Sequence, residues 1–255
     1  MYIKAYAKVN IFLKIKGHKE GYHTLLSRFV RVNHLYDTIT FEPSISETFT
    51  IEGCDNIPLE SNTIYKAYVA LQEHTQSQIL VDFFKVHKIL VVKNIPSQAG
   101  LGGGSSDAGA FIRLVNEVCH LDLDVETLAQ IGSSVGADVP FFVYNYSAAN
   151  VSGFGEIVKP FEEPPFELEL FTPNIDCDTS VVYKTFNKYL LQHITPTSFF
   201  GWDQLDSKTI LSLIPDPIAL NDLYPAALVA YPELEKLDTK DWFFSGSGST
   251  FFKLK

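Results

Sequence analysis

Lys93-Asn-Ile-Pro96-Ser-Gln-Ala-Gly100-Leu-Gly102-Gly103-Gly104-Ser105-Ser106-Asp107 is the stretch on which the reading of this chain turns. Ile89 to Val92 enters it as a strand, and Ala108, Phe111, Ile112, Val115 and Val118 leave it at helical spacing. The order strand, glycine run, helix is the informative part. Glycines let backbone N–H groups turn inward and approach an anion closely, and the first helical turn leaves unpaired donors at the positive end of the helix dipole. An oligophosphate fits both features. Ser105 and Ser106 can cap the helix, or one of these hydroxyls can instead meet a phosphate or a magnesium ion. A flexible glycine linker with an ordinary serine cap is the plain alternative. Three other readings fail on individual residues. No lysine follows the glycines as a P-loop requires, Ser105 stands at the third position of the dinucleotide fingerprint, and no GxSxG occurs.

Working outward, the 255 residues are 46% apolar and 20% charged, enough to bury a sizeable core in one large domain or two modest ones. No run of eighteen uncharged apolar residues appears, and lysines are spaced through Tyr2 to Lys16, so a soluble, unexported, cytoplasmic protein is expected. Cys54, Cys119 and Cys177 are far apart and form no CxxC pair, which suggests buried thiols and neither a disulfide framework nor a zinc site. A formal charge of −10 argues against a nucleic-acid or membrane partner, since both need clustered Lys and Arg. It leaves room for a nucleotide held by backbone amides and one or two lysines.

Before the loop, Ala5, Ala7, Val9, Ile11, Leu13 and Ile15 alternate with Lys4, Tyr6, Lys8, Asn10, Phe12 and Lys14, the pattern of a half-buried strand with Lys8 and Asn10 on its polar side. Phe29 to Val32 and Asp37 to Phe41 read as two further strands, and Ser61 to Gln72 as a helix opened by Ser61 or Asn62. After the loop a second helix over Val125 to Val135 should stop at Gly136. In Gly136-Ala-Asp138-Val-Pro140, Pro140 biases Val139 to an extended conformation, and a carboxylate at such a turn can accept a proton from a hydroxyl. Asp138 as a capping or turn residue, and Lys8 as a solvated strand lysine, are the competing readings. A Pro-rich stretch, Glu162 to Pro165, is the candidate boundary between segments 1–160 and 161–255. Beyond it Phe166 to Phe171 reads as a strand, Val181 to Leu191 and Asn221 to Ala230 as helices, and Trp242 to Leu254 as a hairpin turning at Gly246 to Gly248. Mixed elements without strict alternation give an α+β class.

Gly100 to Asp107, Gly136-Ala-Asp138-Val-Pro140 and Ser245-Gly246-Ser247-Gly248, preceded by Ala7-Lys8-Val9-Asn10 and Gly21-Tyr22-His23, resemble the GHMP kinases along nearly the whole chain. The family is named for galactokinase, homoserine kinase, mevalonate kinase and phosphomevalonate kinase. The resemblance implies a two-lobed GHMP kinase fold, with an N-terminal lobe like domain 2 of ribosomal protein S5 and a ferredoxin-like C-terminal lobe. It implies ATP as co-substrate with Mg2+, and transfer of the γ-phosphate to a hydroxyl between the lobes. Asp138 would take the hydroxyl proton and Lys8 would orient and favour its charged form. Asn62, Lys93, Pro96, Gly100, Leu101, Gly102, Gly103, Gly104, Ser105 and Ser106 would bind ATP. Gly21-Tyr22-His23 resembles the branch whose small-molecule acceptor carries a cytidine diphosphate group, in the non-mevalonate isoprenoid pathway. Tyr22 and Tyr183 would then stack on cytosine, His23 would bond to the base edge, and Asn10 and Phe29 would complete the acceptor site. Core packing for Tyr183 and a bare hairpin tip for Ser245 to Gly248 remain alternatives at this level. So do a GHMP kinase for another small alcohol and a non-catalytic nucleotide-binding module. The pattern departs from the family at Gln98, where a small residue is usual, and at Gly109, where alanine is commoner. A monomer or weak homodimer is expected, and no acidic residue is clearly placed as a metal ligand.

Overall fold

The computed structural model describes residues 1–19, 22–46, 48–191 and 199–255, and gives the backbone alone for residues 18, 19 and 22. The chain opens with two long strands that pair with each other, β1 (Tyr2–Lys19) and β2 (Tyr22–Pro43). There follow β3 (Ile51–Glu52), α1 (Thr63–Thr75), α2 (Gln78–Lys85), β4 (His87–Val92), α3 (Gly103–Val118), α4 (Val125–Val135) and α5 (Val139–Tyr144). Next come β5 (Ala148–Gly153), β6 (Ile157–Pro160), β7 (Leu168–Phe171), α6 (Thr179–Tyr189), α7 (Ser207–Leu213), α8 (Pro217–Leu220) and α9 (Tyr224–Ala230), and finally β8 (Phe243–Phe244) and β9 (Phe251–Leu254).

Contacts divide the chain into two compact units, each assembled from separated segments. The first comprises Met1–Ala7, Asn33–Ile95 and Gly102–Tyr146; the second comprises Lys8–Val32, Pro96–Leu101 and Ser147–Lys255. This differs from one cut near residue 160, because β1 and β2 are each long enough to contribute to both units. The Pro-rich stretch is also no loose connector. Glu163 lies 3.8 Å from the fully buried Arg28 and accepts bonds from the Ser207 N–H at 2.7 Å and its hydroxyl at 2.8 Å.

In the first unit, β4 lies between β3 and the C-terminal half of β2, with Ile39 opposite Val91 and Phe41 opposite Ile89. Asn62 opens α1 by accepting the Ile64 N–H at 2.9 Å, and Ile64, Ala67 and Leu71 face inward. Asp124 opens α4 by accepting the Thr127 N–H at 2.7 Å, and Gly136 ends it in an extended conformation. The core gathers Phe41, Phe84 and Phe111, whose rings meet pairwise, around α3, in which Ser106 to Ile112 are all buried. Gly109 lets α5 approach α3, since a β-carbon there would stand 2.6 Å from the Phe142 Cβ.

In the second unit, the N-terminal half of β2 pairs with β5 and β5 with β6, while β7, β9 and β8 form a separate sheet in that order. Phe243 opposite Phe252 and Phe244 opposite Phe251 make the expected hairpin. Three local expectations are corrected. Residues 29–41 lie within one strand, because Val32 to Asp37 stays extended without a break. The segment of β1 from Ala7 to Ile15 is buried on both faces, Lys8, Asn10 and Lys14 included, since each polar group has a partner. Pro140 opens a helix in place of blocking one, its missing N–H being harmless in the first turn.

Candidate active site

The loop begins in the second unit. Gly100 has φ +72°, and a β-carbon there would fall 2.1 Å from the Ser245 carbonyl oxygen, so only glycine fits. Lys8, 4% exposed, donates from Nζ to Asn10 Oδ1 at 2.7 Å and to the Gly100 carbonyl at 3.2 Å, with the Phe29 ring 4.6 Å beneath the ammonium. Asn10 donates in turn to Ser27 Oγ at 2.9 Å. The Ser245 hydroxyl donates to the Gly100 carbonyl at 3.1 Å and accepts the Asn10 N–H at 3.2 Å. Ser245 to Gly248 is therefore more than a hairpin tip. Asn221 braces this turn from below, donating to the carbonyls of Phe244 at 3.0 Å and Gly246 at 2.8 Å. Sequence reasoning placed Asn221 at a helix start and missed this role, for which no local signal exists.

Also in the second unit, the His23 ring stacks on Tyr183 with centroids 5.3 Å apart, and its Nε2 lies 2.6 Å from Asn187 Oδ1. Asn187 was not foreseen, although it stands four residues after Tyr183 on one helical face. The Tyr22 side chain lies outside the described residues. Phe29 is 2% exposed and supports Lys8.

The loop continues in the first unit as the start of α3. Gly102, at φ +72°, is the N-cap and supplies no side-chain acceptor, so the first-turn N–H groups lack an intrahelical partner. Ser105 and Ser106 are inside the helix and do not cap it, contrary to expectation. Ser106 is buried and donates its hydroxyl to the Tyr6 carbonyl at 2.6 Å, whereas Ser105 remains partly exposed. Leu101 is 0% exposed and offers the loop only its backbone. Pro96 is exposed, and Gln98 takes φ +50°, a left-handed geometry that explains why a small residue suits this position. Thr63, next to the buried Asn62, donates to the Gly104 carbonyl at 2.7 Å.

Lys93 makes the strongest electrostatic feature of this unit. Its Nζ donates to Asp37 Oδ2 at 2.5 Å and to Asp107 Oδ2 at 2.6 Å. Burial lowers its proton affinity, but the two carboxylates outweigh that and hold it above the usual lysine value. Burial pushes the Asp107 carboxyl up to about 7 against the pull of Lys93, with Asp37 adding to the rise. Sequence reasoning did not reach Asp37, which comes from a distant strand. Asp138 precedes α5 with φ −83°, and its carboxylate makes no capping bond to that helix, so the capping reading fails. Its turn lies beside the loop: a β-carbon on Gly136 would come within 3.9 Å of Ser105 Oγ.

A glycine-opened helix with an adjacent carboxylate turn, and in the second unit a buried lysine on an Ala-Lys-x-Asn strand, together define the class of small-molecule kinases known as GHMP kinases. Residues 62–146 match the model described as the GHMP kinases N terminal domain. The chain is 66% identical over 253 residues to the 4-diphosphocytidyl-2-C-methyl-D-erythritol kinase of Sulfurovum sp. (strain NBC37-1), covering 99% of this chain and 98% of that one. It is 44% identical over 256 residues to the enzyme of that name from Sulfurimonas denitrificans (strain ATCC 33889 / DSM 1251), covering 99% and 96%. A crystal structure of 4-(cytidine 5'-diphospho)-2C-methyl-D-erythritol kinase aligns with TM-score 0.73 and 31% identity, over 100% of this chain and 90% of the other. The chain belongs to the 4-diphosphocytidyl-2-C-methyl-D-erythritol kinase family of GHMP kinases.

Proposed function

We propose that the chain transfers the γ-phosphoryl group of ATP to the 2-hydroxyl of 4-diphosphocytidyl-2-C-methyl-D-erythritol, giving the 2-phosphate and ADP in the non-mevalonate isoprenoid pathway. The 66% identity along nearly its whole length carries this reading. The free cysteines are in keeping with a cytoplasmic setting.

Roles follow the chemistry. Gly100 to Ser105 and the first turn of α3 cradle phosphates, with Asn62, Lys93 and Pro96 toward the base of the nucleotide. Asp138 takes the proton of the attacking hydroxyl, and Lys8 supplies a fixed positive charge for the transferring group. Asn10 and Phe29 support the acceptor end. Tyr22 and Tyr183 offer faces to cytosine, and His23, held by Asn187, reads its edge. Loose phosphoryl transfer asks for alignment and charge compensation more than covalent help, which is what a fixed loop and a fixed lysine supply. Among the described residues no three His, Cys, Asp or Glu gather as a metal site. Magnesium would accompany the nucleotide phosphates and compensate their charge.

The test is a coupled ADP-release assay with purified protein, ATP, magnesium and 4-diphosphocytidyl-2-C-methyl-D-erythritol, set beside mevalonate and homoserine as acceptors. Turnover with the cytidine compound alone is expected. No turnover by folded protein, or equal rates with all three acceptors, would overturn the substrate assignment.

A further inference from the structure

The Asp37–Lys93–Asp107 cluster is more elaborate than a lysine that merely touches a nucleotide requires. Asp37 is saturated: Oδ1 accepts the N–H groups of Asn94 at 2.5 Å and Ile95 at 2.8 Å, and Oδ2 accepts from Lys93. Asp107 Oδ2 accepts from Lys93, and among the described residues its buried Oδ1 has no hydrogen-bond partner. Two carboxylates on one ammonium leave a surplus negative charge, nearly all of it shielded from water, since the Asp37 and Asp107 side chains are 0% and 5% exposed. Lys93 itself is 28% exposed, and its Nζ would stand 3.7 Å from a β-carbon on Gly103, the first residue of α3. Ammonium and helix start are thus neighbouring sources of positive potential, and the carboxylates balance both.

We propose that Asp37 and Asp107 are positioning residues for the nucleotide, clamping Lys93 against the first turn of α3, and that Asp107 Oδ1 takes a proton from solvent when an anionic nucleotide occupies that turn. The inference rests on the nucleotide reading of the loop. Incoming phosphates replace the carboxylates as the counter-charge, so the surplus charge on Asp107 becomes unfavourable and one proton removes it. The elevated proton affinity of this carboxyl, caused first by burial, makes the exchange accessible near neutral pH. The titratable groups that face Asp107 are Lys93 beyond β4, Asp37 on β2 and Cys54, whose thiol is itself pushed up by burial and then by Asp107.

The experiment is titration calorimetry of the full chain with magnesium and ATP at about pH 7.5 in two buffers of different ionisation enthalpy, where linkage gives the protons exchanged on binding. Beyond the ionisation of ATP itself, uptake of up to about one proton is expected, and Asp107→Asn should abolish it. In steady-state assays the KM for ATP should rise about three- to tenfold from pH 6 to pH 8 in the wild type and stay flat in Asp107→Asn, with the acceptor KM unaffected. Measured wild-type binding without proton uptake, or the same uptake in Asp107→Asn, overturns the proposal and leaves the kinase assignment standing. No ATP binding by the wild type overturns the nucleotide reading and this inference with it. Should Asp107→Asn fail to fold, the wild-type heats decide alone.

Discussion

Lys8 is the residue whose status changes most between its local sequence and its surroundings. A strand lysine is ordinarily solvated, yet this one is 4% exposed and bonded to Asn10 Oδ1 and the Gly100 carbonyl. Its ammonium is therefore fixed in place, as the proposed role of meeting developing negative charge without reorganising requires. The Asp138 carboxylate does not cap α5. Asp138→Asn is expected to lower kcat about 100-fold or more. Lys8→Ala should also lose most activity, but with a stability cost of about 1–3 kcal/mol from the buried acceptors it abandons. Paired urea melts and steady-state rates check both. An Asp138→Asn enzyme turning over near the wild-type rate would remove Asp138 from the chemistry.

At the scale of elements, α3 connects the glycine loop to the core, and Gly109 sets how closely α5 and its preceding Asp138 turn can approach. Alanine would favour the helix by up to about 1 kcal/mol. Its β-carbon, however, would meet Phe142 Cβ at 2.6 Å and the Phe142 backbone carbon at 3.0 Å. Gly109→Ala is accordingly expected to destabilise by about 1–3 kcal/mol through overpacking, read as a lower urea midpoint at unchanged slope. A raised midpoint would mean that α5 shifts without cost. The same scale shows what was legible beforehand. α1, α4, β4, the glycine loop and the β8–β9 hairpin announce themselves through caps, periodicity and turn residues within a dozen positions. Burial of both faces of β1 did not, because Lys8 and Lys14 look polar until Gly100, Ala219 and Asp222 are brought to them. Asp37 and Asn221 stayed hidden for the same reason, their partners being 56 and about 25 residues away.

For the whole molecule, the cluster on Lys93 couples stability to pH. The Asp107 carboxyl is raised by burial, and then by Asp37, from an ordinary 3.8 to about 7. Between these values the folded protein retains a proton that the unfolded chain has released, so this group makes stability fall as pH rises across that window and contributes no slope below or above it. Asp107→Asn should therefore exceed the wild type in stability at pH 8, with the gap narrowing toward pH 5 in denaturant melts. A gap that widens on acidification would contradict the sign. The second unit carries a consequence of another kind. Asn10 receives its Ser245 partner across 235 residues, and Lys14 its Asp222 partner across 208. A ribosome delivers the second half of each pair at least 208 residues after the first. The intervening residues must therefore emerge before Asn10 and Lys14 acquire these partners, which places assembly of this region among the slow, non-local steps of folding.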